Sequence, residues 1–251
     1  PSARHFYLRR FLRVYPCWFI IACLFYIPRF HGGGLHEWLW LIGEIGFNSG
    51  FWLHDELSFW YIPAIMMLYL FAPPYMELIR RHPIYRWLPV VMILWCILVQ
   101  YIPPIHHLVG HLELFWSRVP IFFIGIDMGE MVKQKQKLDG ASIWMILLMF
   151  LMTLLYVERM LYIPLTVTTI LLLNRLFRRT PKWFNLFFRQ VGALSLEAYL
   201  IHLHFVLVYI PDSLNYWETF LLCIVITLPL SWILHLIVGW VTHIIENRIQ
   251  I

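Results

Sequence analysis

Long apolar runs recur along the whole chain, at residues 15–30, 58–75, 87–102, 118–132, 141–157, 160–176, 191–210 and 217–245. A helix needs about 20 mostly apolar residues to cross a bilayer, with about 17–25 tolerated. Charges arrive in short bursts between these runs, whereas a soluble helix spreads them along one face. Only 13% of residues are charged while 61% are hydrophobic, too little polar surface to coat a soluble globule. A transmembrane barrel would require alternating strands of about 10 residues, and continuous apolar runs exclude it. The expected fold is an all-α, polytopic transmembrane bundle of eight spans, forming one membrane domain over residues 1–251.

Orientation follows from the basic residues. With the N-terminus cytoplasmic, sixteen lysines and arginines fall on the inner side, and only Arg29, Arg118 and Arg159 fall outside. That asymmetry predicts both termini in the cytoplasm. It accounts for the +5 formal charge as a topology signal spread over five separate segments, which excludes a nucleic-acid footprint. The tripeptide Tyr-Ile-Pro occurs five times, beginning at Tyr26, Tyr61, Tyr101, Tyr162 and Tyr209, always at the predicted outer face. Tyrosine suits the headgroup layer, and proline is tolerated in a helix's first turn or just past its last. The stretch Leu35–Phe47, after Gly32-Gly33-Gly34, is amphipathic and predicted to lie in the interface or dip partway in. Cys17, Cys23, Cys96 and Cys223 sit in apolar runs without metal-type spacing and read as small core residues.

Few ionisable groups enter the spans, and such groups point to function by default. Arg118 opens the fourth run, with Asp127 and Glu130 towards its inner end. In the seventh, Gly192, Ser195, Tyr199 and His202 are spaced to share one helix face, while Glu197 and His204 share another. Structural hydrogen bonding between helices is the competing explanation for both sets. The Arg9-Arg10-Phe11-Leu12-Arg13 cluster abuts the membrane, where the planar donor fork of arginine suits phosphate oxygens, on lipid or on a nucleotide-bearing cofactor.

Four segments together carry a resemblance. They are Phe6-Tyr7-Leu8-Arg9-Arg10-Phe11-Leu12-Arg13-Val14-Tyr15-Pro16; Phe59-Trp60-Tyr61-Ile62-Pro63 with Leu68-Tyr69-Leu70 and Pro73; Arg118-Val119-Pro120-Ile121-Phe122 with Gly125; and Gly192 through His202. In this order on a helical membrane chain they resemble the acyltransferase 3 superfamily of membrane O-acyltransferases. The resemblance implies transfer of an acyl group, commonly acetyl, from cytoplasmic acyl-CoA to a sugar hydroxyl of a cell-surface or exported glycan. It implies a plasma-membrane location, Arg10 and Arg13 as the matched Arg-x-x-Arg loop that binds the donor, and Arg118, Ser195 and Tyr199 lining the site. It also implies two spans ahead of that loop, the first bearing the catalytic histidine. A chain that opens at Pro1 is expected to be either part of a longer protein or a reduced relative, inactive alone, with His202 and Glu197 the substitutes it offers as catalytic groups. A solute transporter using Arg118, Glu197 and His202, or a silent membrane scaffold, are the rival readings; no internal inverted repeat favours the transporter.

Overall fold

The computed structural model describes residues 3–54, 56–133 and 162–249. Among them the secondary structure is helical throughout, with no strand. Five helices are long and apolar enough to cross a membrane, and a sixth span results if the bent pair Lys182–Ala193 and Ser195–Tyr209 counts as one. The protein is thus a polytopic helical membrane protein. The expected run at 141–157 lies outside the described residues. The run at 160–176 corresponds, within the described residues, to the helix Tyr162–Phe177.

Helix α1 (Ala3–Tyr26) continues without interruption through Pro16. Its 24 residues extend about 36 Å, more than the hydrocarbon thickness of about 30 Å. It begins well before the apolar run at residue 15, because nothing between Ala3 and Tyr15 breaks a helix. Val14, Cys17, Trp18, Ile21 and Ala22 form its buried face at helical spacing, and Phe11, Phe19 and Leu24 point outward. The amphipathic stretch forms α2 (Leu35–Phe47), followed by the short α3 (Ser49–Leu53). Leu35, Trp38, Leu39 and Ile42, at i, i+3, i+4 and i+7, are exposed, while Leu41 and Glu44 face inward. An outward apolar stripe suits a helix lying against lipid.

Asn48 joins α2 to α3 with φ +48, the left-handed geometry that asparagine tolerates better than most residues. Its side chain accepts a hydrogen bond from Tyr26 Oη at 2.9 Å and donates to Ser58 O at 2.7 Å. Glu44, fully buried, accepts from Ser49 Oγ and Gly50 N, both at 2.7 Å. Trp18 Nε1 donates to Ile45 O. These bonds tie the α2–α3 corner to α1.

The remaining helices are α4 (Tyr61–Arg81), α5 (Leu88–Tyr101), α6 (Pro103–Val109), α7 (Glu113–Lys133), α8 (Tyr162–Phe177), α9 (Lys182–Ala193), α10 (Ser195–Ile201) and α11 (Tyr216–Ile249). A π-helical turn, His202–Val206, follows α10. The Tyr-Ile-Pro triplets at Tyr26, Tyr61, Tyr101 and Tyr209 fall at helix termini. Helix α11 opens on a reciprocal cap: Glu218 N donates to Asn215 Oδ1 and Asn215 N to Glu218 Oε2, both at 3.0 Å.

These elements form two compact units, Pro1–Met66 with Pro181–Ile251, and Met67–Thr180. In the first, α1 packs against α2, α10 and α11. In the second, α5 packs on α7 through Ile93 and Cys96 against Trp116, Ile121 and Ile124. There Tyr75 Oη donates to Asp127 Oδ2 at 2.9 Å, and Arg80 Nε and Nη2 both donate to Glu130 Oε1, at 2.7 and 2.6 Å. Asp127 and Glu130 are therefore held by neighbours on α4. These bonds offset part of the cost of carboxyl groups in an apolar setting, and Asp127 Oδ1 stays buried without a partner among the described residues.

Candidate active site

The seventh apolar run is not one straight helix. The chain breaks at Leu194 and turns through 51° between α9 and α10. The reason is in α9 itself: Lys182, Asn185, Arg189 and Gln190 alternate with Trp183, Phe184, Phe187 and Phe188, a pattern suited to an interface rather than a span. None of its residues is buried. The single face expected for Gly192, Ser195, Tyr199 and His202 is therefore interrupted. Gly192 lies before the bend, and Ser195 is the exposed first residue of α10.

Tyr199 and His202 remain neighbours, with ring centroids 6.1 Å apart. Tyr199 Oη accepts from Tyr61 N at 3.2 Å, satisfying one of the amide donors left without a helical partner at the start of α4. His202 Nδ1 lies 3.0 Å from Ala198 O and 2.9 Å from Tyr199 O. Carbonyl oxygens only accept, so Nδ1 carries the proton. In the neutral ring Nε2 then holds the lone pair, the state a general base requires. The π turn beginning at His202 widens the backbone here, a distortion that often marks functional sites.

Glu197 and His204, expected on a shared face, diverge. The His204 ring packs between Phe25 and Phe59, with centroids 4.9 and 4.5 Å away, and its Nε2 is buried without a hydrogen-bond partner among the described residues. Glu197 turns instead to α11. Its Oε1 accepts from His235 Nδ1 at 2.6 Å. Glu197 is 4% exposed, and its Oε2 is buried without a partner among the described residues. His235 is half exposed and borders a cleft of about 360 Å³. Sequence reasoning passed over His235, although an ionisable residue deep inside the last apolar run was the available signal.

The arginine pair lies elsewhere on the same unit. Arg10 and Arg13 belong to the opening turns of α1, so the expected loop is a helix, with nothing before Pro16 to break it. Three residues apart, they share a face. Arg13 is exposed, and Arg10 also reaches over the Phe6 ring, 5.4 Å from its centroid. One turn beyond Arg13, the fully buried Cys17 lies within electrostatic range of Glu197. Arg118 belongs to the second unit, near the start of α7.

The arrangement offers a basic face suited to phosphate, a histidine with its lone pair unengaged by its own helix, and a buried carboxylate bonded to a second histidine. A family model described as an acyltransferase domain (acyltransferase 3) matches residues 1–236. No curated protein and no solved structure matches the chain.

Proposed function

Because the chain belongs to the acyltransferase 3 family, we propose that it is a membrane O-acyltransferase that moves an acetyl group from cytoplasmic acetyl-CoA to a sugar hydroxyl of a cell-surface or exported glycan. The observation that carries this reading is the placement of Arg10 and Arg13 on α1, the helix whose next turns pack against α10 with Glu197, Tyr199 and His202. The phosphates of the donor meet the two guanidinium forks at the basic end of α1. Both termini are cytoplasmic in this reading, in keeping with the distribution of basic residues.

A sugar hydroxyl is a weak nucleophile and needs a positioned base. In place of the histidine that the resemblance puts in an earlier span, the substitute His202 takes this role, its Nε2 accepting the proton while the hydroxyl oxygen bonds to the acyl carbon. The carbon–sulfur bond breaks, and the departing thiolate recovers a proton from the imidazolium. The acetyl group, the glycan and the inner-membrane location all stand on this reading.

The test is transfer of radiolabelled acetyl from acetyl-CoA to an oligosaccharide by the protein in lipid nanodiscs. His202→Ala should lower kcat by about 10²–10⁴-fold, the usual contribution of a general base. Arg10→Ala and Arg13→Ala should chiefly raise the KM for acetyl-CoA. Transfer that survives all three substitutions unchanged overturns the assignment.

A further inference from the structure

The cleft beside Glu197 and His235 plays no part in the hydroxyl activation described above. Phe187 and Gln190 of α9, with Leu194 at the bend, form one wall; Leu228, Trp232 and His235 of α11 form the other. Its volume of about 360 Å³ falls within the range of roughly 300–1,000 Å³ common for small-molecule sites. Most of the lining is apolar, with one amide and one imidazole as the exceptions.

A buried carboxyl group bonded to a half-open histidine only to hold two helices together is poorly explained. Apolar residues of similar volume often serve stability as well or better, and a hydroxyl or amide would supply an interhelical hydrogen bond. The pair is also asymmetric. Glu197 is buried, whereas His235 stands half open on the cleft. With Nδ1–H committed to the carboxylate, the ring turns its other nitrogen to whatever lies beside it.

The packing of α1 supplies a second observation. Cys17 stands four residues beyond Arg13, about 6 Å along the axis of α1. It lies within electrostatic range of Glu197, which is bonded to His235. The carboxylate–histidine pair thus belongs to the two helices, α10 and α11, against which the arginine-bearing α1 packs. A donor anchored by its phosphates at Arg10 and Arg13 extends its arm from α1 toward these helices.

We propose that this cleft binds the pantetheine arm of the donor, with Gln190 and His235 Nε2 pairing with its two amides. The inference rests on the acyl-CoA reading above. The apolar walls accept the methylene and methyl groups of the arm, and Glu197 fixes the tautomer and orientation of the imidazole.

Two ligands separate the inference from the reading beneath it, measured by equilibrium binding to the full chain in nanodiscs: acetyl-CoA, and the adenosine bisphosphate half of the coenzyme alone. Leu228→Trp and Val191→Trp plug the cleft from opposite walls. Each should weaken acetyl-CoA binding roughly tenfold and leave adenosine bisphosphate binding unchanged, which also shows that the variant is folded. Variants that bind both ligands like the parent overturn the cleft assignment, leaving a groove filled by lipid, while the donor reading stands. If the parent binds neither ligand, the donor reading fails and this inference falls with it. Should a tryptophan variant lose both ligands, Leu228→Cys decides. Its thiol, followed at that position by mass spectrometry, must be shielded from maleimide by acetyl-CoA and not by adenosine bisphosphate; equal labelling with and without acetyl-CoA overturns the inference.

Discussion

Glu197 and His235, on two different helices and 38 residues apart, share a hydrogen bond of 2.6 Å. The bond joins α10, just past the bend at Leu194, to the middle of α11. Removing one partner strands the other, whereas replacing both removes the liability. His235→Ala should therefore destabilise the protein by about 1–3 kcal/mol, the penalty of an unsatisfied buried acceptor. Adding Glu197→Leu to His235→Ala should restore part of that stability. Reversible unfolding in mixed micelles measures it, and additive losses would mean that the two side chains are energetically independent.

The arginine pair predicts a graded response. Arg10→Ala and Arg13→Ala should each weaken acetyl-CoA binding by about 1.5–3 kcal/mol, the scale of a charge-assisted hydrogen bond. Lysine should restore only part, since it lacks the planar fork. Normal donor binding by both alanine variants would assign the arginines to anionic lipid.

Asn48 combines a left-handed backbone with two side-chain bonds, and substitutions separate them. Asn48→Gly removes the bonds to Tyr26 and Ser58 but keeps the backbone relaxed. Asn48→Ala adds the left-handed penalty of about 1–2 kcal/mol. Thermal unfolding should rank the alanine variant below glycine, with Tyr26→Phe milder than either. Equal stability of the glycine and alanine variants would place the whole effect in the side-chain bonds.

Topology is testable with an impermeant thiol reagent in intact cells. A cysteine replacing His82, beside Arg80 and Arg81, should resist labelling, whereas one replacing Asp212 should react. Equal reaction at both positions would overturn the assigned orientation.

Tyr199 should behave as a structural residue. Tyr199→Phe leaves Tyr61 N without its acceptor at the start of α4, which should lower stability by about 1 kcal/mol with little change in KM. A large change in KM at unaltered stability would move Tyr199 into the acceptor site.

What the residue order determined by itself is the helical membrane class and some of the helix ends. Apolar length decides the first, because a bilayer leaves a backbone few ways to satisfy its amides. Tyrosine followed by Ile-Pro marks some of the second, as the triplets at Tyr26, Tyr61, Tyr101 and Tyr209 illustrate. The family was legible too, since four short motifs kept their order along a single chain. Side-chain partners were not. Spacing grouped Glu197 with His204 on one face, but the bend at Leu194 and the π turn at His202 reorient that face. Packing against α1 then draws His204 between Phe25 and Phe59, while Glu197 turns to a histidine 38 residues away. Periodicity describes one helix about its own axis, whereas a partner on another helix is chosen by how the helices pack, and only the tertiary structure decides that.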